Sequence, residues 1–303
     1  MTTPGLRPYL WMLTGSFWFA VMGLLIHALK DDCDWQVQAT ARSGLATLFA
    51  FLGAMLTRTP LVFLNPPVLW VRSLAGSFSM IATFYALTRM PVSEVLTLTN
   101  TFPVWVALIG WLTGGERPTN GTWVAVGSAV VGVAVIFRPD LGGLPPAALS
   151  ALVASVFTAI AMLGLNRLHG VGSLAVVVHF SAVATLVCFA SLFAFDRTTG
   201  NDRLADPVKL ATLLGVGVTA VIGQVFLTRA FRAGPATGIA VVGLSQVVMV
   251  MAFEAAAGWK TFDLQSLVGT ALVLGPVGWL MIHAHDRTPV KKDEPVVEEV
   301  PIE

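Results

Sequence analysis

The chain reads as an all-α integral membrane protein of ten transmembrane helices, arranged as two five-helix repeats of inverted topology. Three observations predict this: apolar residues gather in membrane-length runs, charge is sparse, and the second half repeats the first. Hydrophobic residues make up 55% of the 303 and charged residues 12%, against about 25% charged in a soluble domain. Mean hydropathy is +0.78. Length alone would suggest two soluble domains, but runs able to cross about 30 Å of hydrocarbon override that expectation.

The spans follow from where the apolar runs stop. The first, 9–29, begins after Arg7 and lacks a small-residue cleavage site, so it reads as a retained span rather than a secretory signal. Lys30-Asp31-Asp32 separates it from the second span, 35–56, and Asn65-Pro66-Pro67 precedes the third, 68–87. The fourth, 94–112, contains Pro103, whose missing N–H frees the Thr99 carbonyl and predicts a kink. Gly114-Gly115-Glu116-Arg117-Pro118 leads into the fifth, 119–137. In the second half the spans are 146–166, 173–195, 208–228, 236–257 and 264–284, with one longer polar linker from Asp196 to Asp206. Residues 287–303 mix Lys, Glu, Val and Pro without a helical period, and a disordered cytoplasmic tail is expected there.

The duplication is visible as three matches in the same order. GSFWFAVMGLLIHAL from Gly15 lies over ASVFTAIAMLGLNRL from Ala154, so Ser16 meets Ser155 and Ala20 meets Ala159. FYALTRMP (84–91) lies over TRAFRAGP (228–235), placing Pro91 on Pro235, and VGSAVV from Val126 lies over VGTALV from Val268. The repeats are expected at 8–139 and 146–286. Five spans per half place the second copy upside down, an arrangement that secondary transporters use around a central site.

The same residues carry a family resemblance. Arg72 at the start of the third span, FYALTRMPVSEV (84–95), Thr101-Phe102-Pro103-Val104-Trp105, Gly115-Glu116-Arg117-Pro118, and Gly132-Val133 before Arg138-Pro139 resemble an EamA-type repeat of the drug/metabolite transporter superfamily. The branch around the solute carrier 35 G group is the nearest in flavour. The second copy departs from the pattern, with Trp259-Lys260 for Gly115-Glu116 and Val247 for Pro103. The resemblance covers about residues 8–286 and implies a ten-helix carrier of organic metabolites with a central cavity. It leaves the substrate open.

Polar residues inside spans nominate a site, because ionisable groups there are costly. Glu94, Thr97, Thr101 and Trp105 recur on one helical face of the fourth span. In the Pro91-over-Pro235 register their counterparts are Gly238, Val241, Ser245 and Met249, so one wall is polar and the other nearly apolar. That contrast suits an amphipathic substrate; the alternative is a hydroxyl-rich helix that only packs. Trp18, Arg72, Glu94, Thr97, Asn100, Thr101, Trp105, Gln224, Ser245 and Gln246 are the candidate substrate-binding residues. Arg72 either snorkels to headgroups or reaches inward to an anionic group. Glu94, Arg42 and His27 are candidates for ion coupling, with an Arg42–Glu94 pair as the structural alternative. His179 and His283 fit no ligand pattern.

The remaining features mostly exclude. No hydrolase, metalloprotease or redox-cysteine motif occurs, no Walker-type phosphate loop is present, and neither an enzyme nor a cofactor is expected. Cys33 and Cys188 show no metal-ligand spacing. Net charge is +1 without a basic stripe, which argues against nucleic acid. The partners expected are a small-molecule substrate and the lipid bilayer. Ser128-x-x-x-Gly132 and Ala271-x-x-x-Gly275 allow close helix approach, either within the chain or in a homodimer through the fifth and tenth helices. On the side of the N-terminus, short loops and tail hold Arg7, Arg58, Arg117, Arg167, Arg229, Arg232, Arg287, Lys291 and Lys292. The opposite short loops hold Lys30, Arg89, Arg138 and Lys260, and Arg197, Arg203 and Lys209 lie in or beside the longest one. The bias predicts a cell-membrane protein with both termini cytoplasmic. A metabolite carrier is the leading functional expectation; a non-transporting scaffold or receptor is the alternative, supported by the divergent second copy.

Overall fold

The computed structural model describes residues 5–29, 34–87, 89–90, 92–114, 117–138, 146–168, 170–194, 206–258 and 263–283. They form helices throughout, with no strand among the described residues. The first half contains α1 (Arg7–Ala28), α2 (Trp35–Leu56), α3 (Pro67–Leu87), α4 (Val92–Thr99), α5 (Phe102–Leu112) and α6 (Asn120–Phe137). The second contains α7 (Pro146–Arg167), α8 (Ser173–Ala194), α9 (Pro207–Ala233), α10 (Ala236–Gly243), α11 (Ser245–Ala256) and α12 (Leu264–His283). The tail at 287–303 and most of the Asp196–Asp206 linker lie outside the described residues.

Nine segments among the described residues are long and apolar enough to span a bilayer. The expected third span is helical over 21 residues as α3, but Arg72 and its serines keep it out of that set. Residues that a soluble protein would hide are outside: Leu56 is 86% exposed and Phe193 76%. Residues that a soluble protein would expose are inside, Ser16, Ser73, Ser77 and Ser155 among them. This inversion is what a lipid-facing surface and a polar interior require. The eighth span runs to Ala233, past the expected 228, because only Gly234 and Pro235 stop the helix.

Two expected spans are broken, and the breaks correspond. α4 ends at Thr99 and α5 starts at Phe102; α10 ends at Gly243 and α11 starts at Ser245. In the register that lays Pro91 over Pro235, Thr101 falls on Ser245. Pro103 sits in the first turn of α5, where its missing N–H costs nothing. The second break forms without a proline. The Asn100 amide donates to the Leu96 carbonyl (2.7 Å) and the Thr101 hydroxyl to that of Leu98 (2.6 Å), so carbonyls at the first break are taken up locally. Left-handed Gly114 and Gly258 (φ 82 and 73) close α5 and α11, a conformation glycine adopts without strain.

The packing pairs elements across the two halves: α3 on α7, α9 on α1, α2 on α8, and α6 on α12. Mirrored serines reach the breaks. Ser16 on α1 donates to the Gly243 carbonyl (3.4 Å), and Ser155 on α7 accepts from Thr101 (3.2 Å). The α6–α12 crossing is tight: a Cβ on Gly132 would sit 2.8 Å from the Gly269 carbonyl oxygen, and Ser128 donates to the Leu272 carbonyl (3.1 Å). Of the two uses weighed for the small residues on α6, the contact within the chain is the one seen, and it meets Gly269 rather than Gly275. Arg138 and Asp263 pair at the ends of these helices.

Gly132→Val should therefore lower the melting temperature of the purified protein in detergent, since overpacking a filled contact costs about 1–3 kcal/mol. Gly275→Ala, at a position with no atom near the new Cβ, should leave it unchanged.

Candidate functional site

Arg72 opens the site. It lies five residues into α3, roughly 8 Å along the helix at 1.5 Å per residue, yet it turns inward and is 1% exposed. Its Nη2 donates to Gln224 Oε1 on α9 at 3.1 Å, and the guanidinium lies 3.7 Å above the Phe180 ring of α8. Gly76, one turn further on, leaves the room: a Cβ there would fall 2.6 Å from Nη1 and 2.8 Å from the Phe180 ring. Gly164 of α7 does the same for the stem, where a Cβ would stand only 3.1 Å from Arg72 Cβ. Nε and Nη1 are buried without an acceptor.

Arg42 approaches from the other end of the bundle. It lies seven residues into α2, roughly 10 Å deep, and is half-buried. Its Nε points at the Met22 sulfur (3.2 Å) and its Nη1 at that of Met80 (3.8 Å). Thioethers are weak acceptors. Among the described residues Arg42 has no carboxylate partner, and the Glu94 side chain lies outside them.

Both arginines line one cavity of about 160 Å³. The first half contributes Arg42, Arg72, Gly76, Ser79 and Met80; the second contributes Thr158, Ala161, Met162, Phe180 and Gln224. Ser79 and Thr158 hydroxyls meet across it at 2.6 Å, and Ser79 also bonds the Ala154 carbonyl (2.9 Å). The wall thus mixes guanidinium, hydroxyl and amide groups with thioether, methyl and aromatic ones. Below Arg72, Ser73 meets His179 Nδ1 (2.8 Å) while Nε2 meets the Phe63 carbonyl (3.2 Å), and the ring stands edge-on to Trp70. Since a carbonyl only accepts, Nε2 donates, leaving Nδ1 to accept from Ser73. This His is a structural tie.

Of the expected site residues, Arg72, Gln224 and Arg42 come together in this cavity. The other candidates with described side chains are not among its lining residues. Thr97 is buried, Asn100 and Thr101 bond back onto α4, and Trp105 packs against the core. Ser245 is buried at the second break with its hydroxyl unpartnered, and Gln246 is half-buried beside it. Gln224 bonds Arg72 rather than pairing with Gln246. Trp18 is half-buried edge-on to Phe17. His27 is exposed in the last turn of α1. Sequence reasoning passed over Ser79, Thr158, Phe180 and Met80. A signal existed in the run of small and hydroxyl residues from Ser73 to Ser79, directly after an intramembrane arginine.

Residues 6–138 match the EamA-like transporter family. The chain is 29% identical to the pseudopaline exporter CntI of Pseudomonas aeruginosa over 265 residues, covering 86% of this chain and 90% of that protein. It is 22% identical to the riboflavin transporter of Rhizobium johnstonii over 234 residues, covering 74% and 76% respectively. With solute carrier family 35 member G1 of Homo sapiens the identity is 23% over 275 residues, covering 83% and 72%. A protein crystal structure superposes with a TM-score of 0.79 at 16% identity, over 92% of this chain and 98% of that one, a likeness of fold.

Arg72 is a buried charge without a counter-charge among the described residues, so its value to stability is expected to be negative. Arg72→Met should stabilise the ligand-free protein by about 1 kcal/mol or more and so raise its melting temperature, as apolar replacements of buried ions do. A melting curve in detergent reads this directly.

Proposed function

We propose that this chain, an EamA-type multi-pass membrane transporter of the drug/metabolite kind and not an enzyme, is a secondary carrier of a small amphipathic metabolite. It works by alternating access of two inverted five-helix halves, ten spans in all with α4–α5 and α10–α11 each counted once. The observation that carries this is the cavity itself, lined equally from both halves by a mixture of charged, hydroxyl, thioether and aromatic side chains. A site at the interface of two halves can be opened to either face by rocking one half against the other. The matched helix breaks, the mirrored Ser16 and Ser155 contacts and the cross-paired helices support the duplication.

The names of the relatives, an exporter of pseudopaline and a transporter of riboflavin among them, support an organic substrate. The absence of a Walker-type loop in the sequence leaves an ion gradient or the substrate's own gradient as the driving force. The loop charges favour the cell membrane with both termini in the cytoplasm. Glu94 remains the carboxylate proposed for coupling, by its place on the fourth span. The scaffold alternative rested on divergence of the second half, and the break at Leu244 weakens it, since the second copy keeps the feature without the proline.

Purified protein in liposomes, offered pooled labelled amino acids, nucleosides, cofactors and organic acids, should accumulate or exchange at least one of them. No movement of any compound would leave the scaffold reading in place. In a background with Cys33 and Cys188 replaced by alanine, cysteines at Ser79 and Thr158 should react with charged aqueous thiol reagents. A cysteine at the exposed position Leu186 should stay inert because it faces lipid.

A further inference from the structure

We infer that the cavity takes an organic anion, its acidic group (carboxylate or phosphate) seated at Arg72 and Gln224 and a second acceptor group reaching Arg42. This rests on the carrier reading above and names the substrate class of that same site.

The donors decide it. A guanidinium carries five N–H groups and accepts nothing. Those on Nη2 are beside Gln224, whereas the three on Nε and Nη1 are buried with no acceptor. Because arginine only donates, the Gln224 oxygen must face it, and the amide N–H₂ is left to donate elsewhere. Arg72 and Gln224 together therefore present a surplus of donors, with the amide oxygen already turned to the guanidinium, a set that favours an oxyanion over a cation.

The surroundings hold that charge in place without neutralising it. Phe180 covers one face of the guanidinium, and Gly76 makes the room that Nη1 occupies. No described residue lining the cavity is acidic. The ion pair among the described residues, Arg138–Asp263, is elsewhere, at the ends of α6 and α12. Arg42 adds a second guanidinium to the same cavity from the opposite end, held only by thioether sulfurs that a charged oxygen would displace. Two positive charges in one low-dielectric cavity repel amines and quaternary ammonium compounds. Met80, Met162 and Phe180 receive the apolar part of the same molecule.

The test uses the whole chain in detergent, melted with succinate, citrate or glycerol 3-phosphate, each beside an uncharged counterpart (dimethyl succinate, trimethyl citrate, glycerol), and with inorganic phosphate. At least one anion should raise the melting temperature and its uncharged counterpart should not; which one responds separates carboxylate from phosphate. Arg72→Gln should weaken that anion about tenfold to a hundredfold, the range for losing a charge-assisted bond. Should Arg72→Gln fail to fold, Gln224→Glu serves instead. It places an internal carboxylate beside the Arg72 guanidinium, and should raise the melting temperature of the empty protein while abolishing the anion response. No response to any of the four anions, or an unchanged response in Gln224→Glu, overturns the assignment. In proteoliposomes, a neutral or cationic metabolite moved at the wild-type rate by Arg72→Gln overturns the anion and leaves the carrier. Stabilisation by an anion that is neither taken up nor exchanged supports the site and overturns the carrier.

Discussion

Hydrocarbon offers no hydrogen-bond partner, so each backbone N–H and C=O must be satisfied within the chain. This constraint sets the helical architecture and also governs where it is interrupted. At the first break the freed groups are taken by Asn100 and Thr101 side chains, and Thr101 in turn meets Ser155 of α7. At the second break Ser16 of α1 reaches the Gly243 carbonyl. Each interruption is tolerated because a hydroxyl from the facing half stands beside it. The Thr101 hydroxyl, part of a face that looks like a binding surface in the linear sequence, is thereby committed to holding the broken helix.

Arg72 is where the same constraint is left unmet. A charge at this depth costs several kcal/mol on most measures, and the chain compensates with one amide oxygen and one aromatic face. The close α3–α7 crossing at Gly164 fixes the stem, and Gly76 lets the head lie flat against Phe180. The pairing of α3 with both α7 and α8 thus exists in a form that holds a cation toward a cavity. Stability alone would favour an apolar side chain there, so the arrangement is read as serving a ligand.

Much of this was legible beforehand. Apolar runs and their breakers gave span positions close to the helices seen, and the 35–56 span matches α2 to the residue. Pro103 announced the first break. Arg72, Arg42 and Gln224 stood out as polar groups in apolar runs. The linear pattern and the cavity point to different walls. The periodic face of Glu94, Thr97, Thr101 and Trp105 suggested the fourth span, but hydroxyls can be spent on neighbouring carbonyls, and periodicity does not distinguish that use from facing a ligand. The second break lacked a proline and so left no local mark.

The sequence by itself determined the all-helical membrane class, the approximate spans, and the scarcity of charge that makes each buried arginine conspicuous. These depend on composition and short-range pattern, which hydrocarbon reads residue by residue. Only the tertiary structure decided which polar groups meet. Arg42 and Arg72 lie on different helices and at different depths, and Phe180 and Gln224 belong to the other half of the chain. Their convergence depends on the crossing of α3 with α7 and α8, set by glycine clearances of a few ångströms. Contacts between residues far apart in sequence are a property of packing, and no local pattern encodes them.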